Sequence, residues 1–251
     1  FPGPHELPQP SPRQQQVRQL DAGVLAACRL ADAERVDVGA QVGRKTFELQ
    51  SGLPIYPTKL STDIGAVQAS ARFDRLDNLN FPHDGYLATA QLYSSTSTLG
   101  ADDTYNKWEA RFGGAVTFGR HTIEGLIAGG GGIGGSEIPI YDVFNLGGFL
   151  NLSGLQRQQI KTDEFAFGRL VYRTKLADFT FFEGMYLGGS LEAAQVKPLV
   201  QFSPSRPADE RTSIFAGSLF FGVDSPIGPL YVGFGYSDRE NRAVYLFLGR
   251  P

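Results

Sequence analysis

One stretch constrains this chain more than any other. Residues 105–119 read YNKWEARFGGAVTFG, and every second residue from 106 gives Asn106, Trp108, Ala110, Phe112, Gly114, Val116 and Phe118. The other register gives Tyr105, Lys107, Glu109, Arg111, Gly113, Ala115 and Thr117. Side chains of a β-strand alternate between its two faces, so this segment is a wall with one oily and one charged side. The charged side is too polar for the core of a soluble sandwich. A transmembrane β-barrel, with lipid outside and a polar lumen inside, accounts for both faces. The competing reading is a soluble β-sandwich or lipocalin-like barrel whose charged side meets bulk water.

The pattern recurs. Ten segments separated by Gly, Pro, Asp, Asn and Ser clusters read as strands, starting with ERVDVGAQVGRKTFELQ and IGAVQASARFD and ending with NRAVYLFLG. Most are near the ~9–11 residues that a tilted strand needs to cross a bilayer. Their inward positions include Glu124, Ser190 and Ser218, and a set of lumen charges is expected from Lys107, Glu109, Arg111, Arg169, Arg173 and Glu192. SPIG and SDREN read as tight turns, while TSTLGADDT, residues 134–163 and KPLVQFSPSRPADERT read as long loops. Short turns at one end and long loops at the other fit an outer-membrane barrel. The expected fold is therefore all-β, an antiparallel transmembrane β-barrel of about ten strands.

Composition agrees where it bears on this. The longest uncharged run near the middle, GLIAGGGGIGGS, is far short of the ~20 residues of a spanning helix. A net charge of −3 gives no basic surface for nucleic acid. The 19 Phe and 10 Tyr suit strands and the aromatic girdles at lipid boundaries. A single cysteine, Cys28, leaves no internal disulfide. Residues 1–33 read as a Pro/Gln-rich linker with a short helix over 21–33, and 34–251 as the barrel domain.

Two segments carry more than alternation. In RFDRLDNLNFPHDGYLATAQL, residues 72–92, Asp74, Asp77, Asn78, Phe81, Pro82 and Gly85 form a turn. The Asp and Asn side chains bond their own backbone, and Pro82 and Gly85 fix its corners. In FNLGGFLNLSGLQRQQI, residues 144–160, the motif is Phe144, Leu146, Gly147 and Gly148, then Ser153, Gly154 and Arg157. Both segments resemble the outer-membrane assembly and translocation barrels, the BamA-like bacterial surface antigen family. The resemblance covers about 35–251 and implies the C-terminal part of a barrel of about sixteen strands. It also implies that residues 144–160 are a loop inserted in the lumen. The family's loop tip carries an arginine that pairs with an acidic group on the inner wall; here that position is Ser153. Arg157 is expected to take over that role with Glu192 as its partner.

GGFLNLSG, YLGGSLEA and the ending YLFLG look closest to patatin-like autotransporters of type V secretion. The resemblance thus implies a translocator and anchor for an upstream passenger, located in the bacterial outer membrane. Its expected partners are outer-membrane lipid and the barrel assembly machinery, with a homodimer left open. No cofactor or metal is expected, since His5, His83 and His121 lack ligand spacing. No G-x-S-x-G nucleophile elbow occurs, so this chain is not expected to be an enzyme. The alternatives are a passive pore and an omptin-type barrel protease, which needs clustered Asp and His at the outer rim.

Overall fold

The structure is a computed structural model that describes residues 17–31, 34–48, 59–179, 182–198, 211–238 and 240–249. It is all-β. Twelve strands follow in chain order: β1 (Val17–Ala31), β2 (Glu34–Glu48), β3 (Lys59–Asp74), β4 (Gly85–Ser95), β5 (Tyr105–Phe118), β6 (His121–Gly132), β7 (Phe144–Leu146), β8 (Ile160–Phe179), β9 (Phe182–Pro198), β10 (Thr212–Asp224), β11 (Leu230–Ser237) and β12 (Arg242–Leu248). Every pairing is antiparallel between neighbours, in the order β1-β2-β3-β4-β5-β6-β8-β9-β10-β11-β12. The short β7 adds to the start of β8, with Phe144 opposite Thr162 and Leu146 opposite Ile160. Among the described residues β1 and β12 end the sheet and do not pair with each other.

All ten expected strands are present, as β2 to β6 and β8 to β12. The expectation of linker and short helix over residues 1–33 is corrected for 17–31. There the chain forms β1, with Ala22 opposite Val42, Val24 opposite Ala40 and Ala26 opposite Val38. Leu20, Ala22, Val24, Ala26, Cys28 and Leu30 alternate at period two with Asp21, Gly23, Leu25, Ala27 and Arg29, polar or small except for Leu25. The Ala and Leu content suggests helix, but the free edge of β2 offers a full ladder of backbone partners, and tertiary context overrides propensity. Residues 1–16, the segment 199–210 and the terminal Arg250-Pro251 lie outside the described residues.

The two faces differ as the alternation requires. Trp108, Phe112, Val116 and Phe118 on β5 are exposed, and so are Val38, Val42, Leu92, Ile127, Leu170, Leu191, Leu219 and Leu246 on other strands. The opposite face curls round two inserted segments. Contacts that cross the interior show the curvature: Asn78, after β3, donates to Asp224 of β10 at 3.3 Å, and Tyr231 of β11 donates to the Asn80 carbonyl at 3.1 Å. An exposed apolar face this extensive is incompatible with bulk water and suits hydrocarbon.

Connectors 75–84, 119–120 and 225–229 lie at one end of the sheet, with the end of β1 and start of β2 and the end of β8 and start of β9. Connectors 96–104 and 133–159 lie at the other, with the end of β2 and start of β3, the end of β9 and start of β10, and the end of β11 and start of β12. The first is called the short-turn end below and the second the long-loop end. Two expectations change. SPIG and SDREN are both tight but sit at opposite ends, and 75–84 is a longer segment at the short-turn end because it folds inward. The chain enters β1 at the long-loop end and leaves β12 at the short-turn end.

Candidate functional site

Two inserted segments, 75–84 and 133–159, fill much of the space inside the sheet, and cavities of about 530 and 230 Å³ remain beside them. From the long-loop end comes 133–159. Phe144 and Leu146 are buried with Tyr105, Phe165 and Phe167 of the wall, and the Phe144 and Phe165 rings lie 5.0 Å apart. The loop then turns back sharply. Gly147 and Gly148 sit at φ +120° and +116°, and a side chain on Gly147 would meet the Gln156 carbonyl at 2.5 Å. Leu150 and Leu152 also have positive φ, +58° and +71°, which costs each about 1–2 kcal/mol. The wall holds this strain in place. Arg169 Nη1 donates to the Leu150 carbonyl at 2.8 Å, and Leu152 is fully buried.

The tip is seated on Glu192 of β9. The Ser153 amide donates to Glu192 Oε2 at 2.7 Å, and the Ser153 hydroxyl donates to Oε1 at 2.7 Å. The Ser190 hydroxyl donates to the same Oε1 at 2.5 Å and lies 2.7 Å from the Ser218 hydroxyl. Ser153 Oγ in turn accepts from the Leu150 amide at 3.0 Å. Glu192 is 3% exposed, and no Lys or Arg among the described residues is ion-paired with it. Beyond the tip, the Gly154 amide donates to the Tyr245 hydroxyl, which donates to the Leu155 carbonyl, both at 2.9 Å. Gly235 lets the tip approach: a side chain there would meet the Gly154 nitrogen at 2.6 Å.

The expected Arg157–Glu192 pair is therefore corrected. Arg157 is exposed and lines a cavity, and Ser153 itself reaches the acid. A serine can do so because its amide and hydroxyl together supply two short bonds where a longer side chain would supply a charge.

The second inserted segment is the turn after β3. Asp74 accepts from the Leu76 amide and Arg72, Asp77 accepts from the His83 and Asp84 amides at 2.8 and 3.0 Å, and Asn78 accepts from the Asn80 and Phe81 amides. Gly85 has φ +101°, and a side chain there would strike the Arg75 carbonyl. Burial opposes ionisation of Asp77, but the amides of Asp84 and His83, with the nearby imidazole, hold its carboxyl below the usual range. Phe81 is buried between Tyr186 and Tyr231, with ring centroids at 4.7 and 5.0 Å. Arg173 donates to the Pro82 carbonyl and lies over the Phe81 and Tyr186 rings. His83 stands between Asp77 at 3.3 Å and the Tyr186 hydroxyl at 3.0 Å.

The inward charges are mostly paired. Glu124 bridges Arg169 at 2.7 Å and Arg173 at 3.0 Å, and Arg111 pairs with Glu109 at 2.7 Å. Lys107 pairs with Asp142 at 2.7 Å. Asp142 also accepts from the Tyr105 hydroxyl at 2.5 Å and lies 3.8 Å from Lys45. Sequence reading missed Asp142 and Tyr105 as the anchor of the loop's base; YDV before FNLGG was the available signal, an acid preceding a buried run. It also missed the aromatic link between the two inserted segments, in which Phe149 of the loop and Phe81 of the turn both contact Tyr231.

The chain matches the family profile described as the Omp85 superfamily domain over residues 11–250. Its fold matches the crystal structure of BamA from Haemophilus ducreyi lacking POTRA domains 1-3, with TM-score 0.73 and 14% identity, over 93% of this chain and 53% of that one. It thus spans about half the length of that solved relative. No curated protein matches it. Two-faced sheet, inserted loop and profile agree: the chain belongs to the Omp85 superfamily of bacterial outer-membrane β-barrels.

Proposed function

We propose that this chain is the membrane-embedded part of a translocator that anchors and exports a domain attached upstream. The observation that carries this reading is the loop tip seated on Glu192 by two bonds from Ser153. A wall whose interior is occupied by its own pinned loop is built as a regulated scaffold, and a permanently open pore would leave that space to water. Outer-membrane lipid is the partner of the apolar face, and the barrel assembly machinery is the partner for insertion. The unpaired edges of β1 and β12 are where further strands of the protein, or a second copy, would join. The sequence likeness to patatin-like autotransporters favours a lipolytic passenger. In this reading the chain itself performs no catalytic step. The omptin-type alternative gains no support, because His83 and His121 both lie at the short-turn end, away from the long loops.

The test is protease access to the upstream domain in intact cells that express the whole reading frame. Wild type should expose it. E192A should still reach the membrane but expose much less. Equal exposure in both, with a folded barrel in each, would count against a role for the seated loop in export.

A further inference from the structure

The outer face of β6 begins with a residue that does not suit hydrocarbon. His121, Ile123 and Ile127 stand on the exposed side of that strand, whereas Thr122 is buried on the other. The His121 ring stacks on Tyr172 of β8, with centroids 5.9 Å apart and planes 14° from parallel. Its Nδ1 lies 2.7 Å from the Tyr172 hydroxyl. One residue earlier, the exposed Arg120 occupies the two-residue turn between β5 and β6. Exposed apolar side chains, Phe118, Ile123 and Leu170, lie on the same stretch of outer wall. Polar groups and an oily surface therefore meet at the last rungs of the short-turn end.

We propose that Arg120, His121 and Tyr172 form a seat for the phosphate of one anionic phospholipid. The proposal rests on the membrane-barrel reading above and deepens it by naming the class of lipid and the place it binds. Short turns of outer-membrane barrels face the periplasm, so this lipid belongs to the inner leaflet.

The donors are on hand. With Tyr172 donating to Nδ1, the ring proton of His121 sits on Nε2, and an imidazolium carries a proton there as well. Neither that Nε2 nor the Arg120 guanidinium has a hydrogen-bond or ion-pair partner among the described residues. A guanidinium is always charged and matches the paired oxygens of a phosphate with two parallel bonds. Stacking on Tyr172 fixes the plane of the imidazole, and aromatic rings with one polar edge sit at headgroup level. Cations at a membrane surface favour anionic headgroups, so phosphatidylglycerol suits this seat better than a lipid that carries its own ammonium. The wall also leaves room for an acyl chain. Gly125 lies four residues from His121, about 13 Å along the strand. Open space stands where its side chain would be, and Gly114 is opposite it on β5. Exposed Phe112, Val116, Ile123 and Ile127 rim this dip.

The experiment titrates the whole protein, in micelles of a neutral detergent, with phosphatidylglycerol, and native mass spectrometry counts the bound lipid. Phosphatidylcholine is the control lipid and inorganic phosphate the competitor. Wild type should hold one phosphatidylglycerol at least about tenfold more tightly than phosphatidylcholine, the factor expected of one hydrogen bond to a charged group. R120S and H121F, which keep the turn and the aromatic stack, should each remove most of that preference. R75S, which alters another exposed arginine at the same end, should leave it intact. A gel-mobility shift on heating checks folding in each case, and if R120S does not fold, H121F carries the comparison. Absence of a heat-modifiable form in wild type would overturn the barrel reading itself. A folded wild type with no preference, or a preference that survives both variants, would overturn the lipid seat alone. So would complete displacement of the lipid by millimolar phosphate, which would mark a site for the free ion.

Discussion

Replacing Glu192 tests the seat of the loop most directly. Its carboxylate receives three short bonds, from the Ser153 amide, the Ser153 hydroxyl and the Ser190 hydroxyl, at 2.5–2.7 Å. In E192A the hydroxyls can turn to one another or to Ser218, but the buried Ser153 amide has no other acceptor among the described residues. Bonds to a charged group are worth about 1.5–3 kcal/mol each, and a stranded buried donor costs about 1–3 kcal/mol. Allowing for the desolvation that the lost charge no longer pays, E192A should weaken the seat by about 3–5 kcal/mol. E192Q keeps one carbonyl oxygen for the amide and should cost about 1–2 kcal/mol. The assay is trypsin cleavage after Arg157, which lies just past the tip and is exposed. Where cleavage follows the open population, E192A should raise the rate by roughly two to four orders of magnitude, and E192Q by about one. If E192Q were as damaging as E192A, the charge and not the bonding would hold the tip. If both cut like wild type, the tip would not be seated there at all.

Four further outcomes follow from the same geometry. G235V should expel the tip and give the E192A cleavage pattern, because its Cβ would lie 2.6 Å from the Gly154 nitrogen and 2.8 Å from Ser153 Cβ. F112R, near the middle of β5 on the exposed apolar face, should cost about 2–4 kcal/mol of membrane stability, read as a lower temperature for the heat-induced gel shift. D142A leaves Lys45 and Lys107 without their shared acid and should free the loop's base by about 2–3 kcal/mol, read as faster cleavage between 133 and 143. Because the folded Asp77 carboxyl is held below its ordinary value, its contribution to the inserted turn is present in full above about pH 4 and is lost as pH falls through the depressed value. D77N should remove that acid-dependent loosening, measured by hydrogen exchange of the 75–84 amides against pH.

Periodicity made the wall legible and left its furniture hidden. Trp108, Phe112, Val116 and Phe118 could be assigned to one face because strand side chains alternate whatever they pack against. The ten segments so marked are strands. β1 escaped because its Ala- and Leu-rich alternation also fits a helix, and only the free edge of β2 decides between them. The turn motif was readable since Asp77 and Asn78 bond backbone within a few residues. The loop's contacts were not. Ser153 meets Glu192, and Phe149 meets Tyr231, across long stretches of chain, and nothing local in LNLSG announces either partner. Nor does a glycine such as Gly235 reveal from sequence that its missing side chain is the socket for a loop.

The path from β1 to β12 has eleven strands, an odd number. Consecutive antiparallel strands reverse direction, so Val17 and Leu248 stand on opposite sides of the bilayer. A protein fused directly ahead of Val17 would be displayed on the side of the long loops. Any preceding polypeptide that resides on the other side must thread the bilayer an odd number of times before it reaches β1. Labels placed at Val17 and Leu248 would thus report on different compartments.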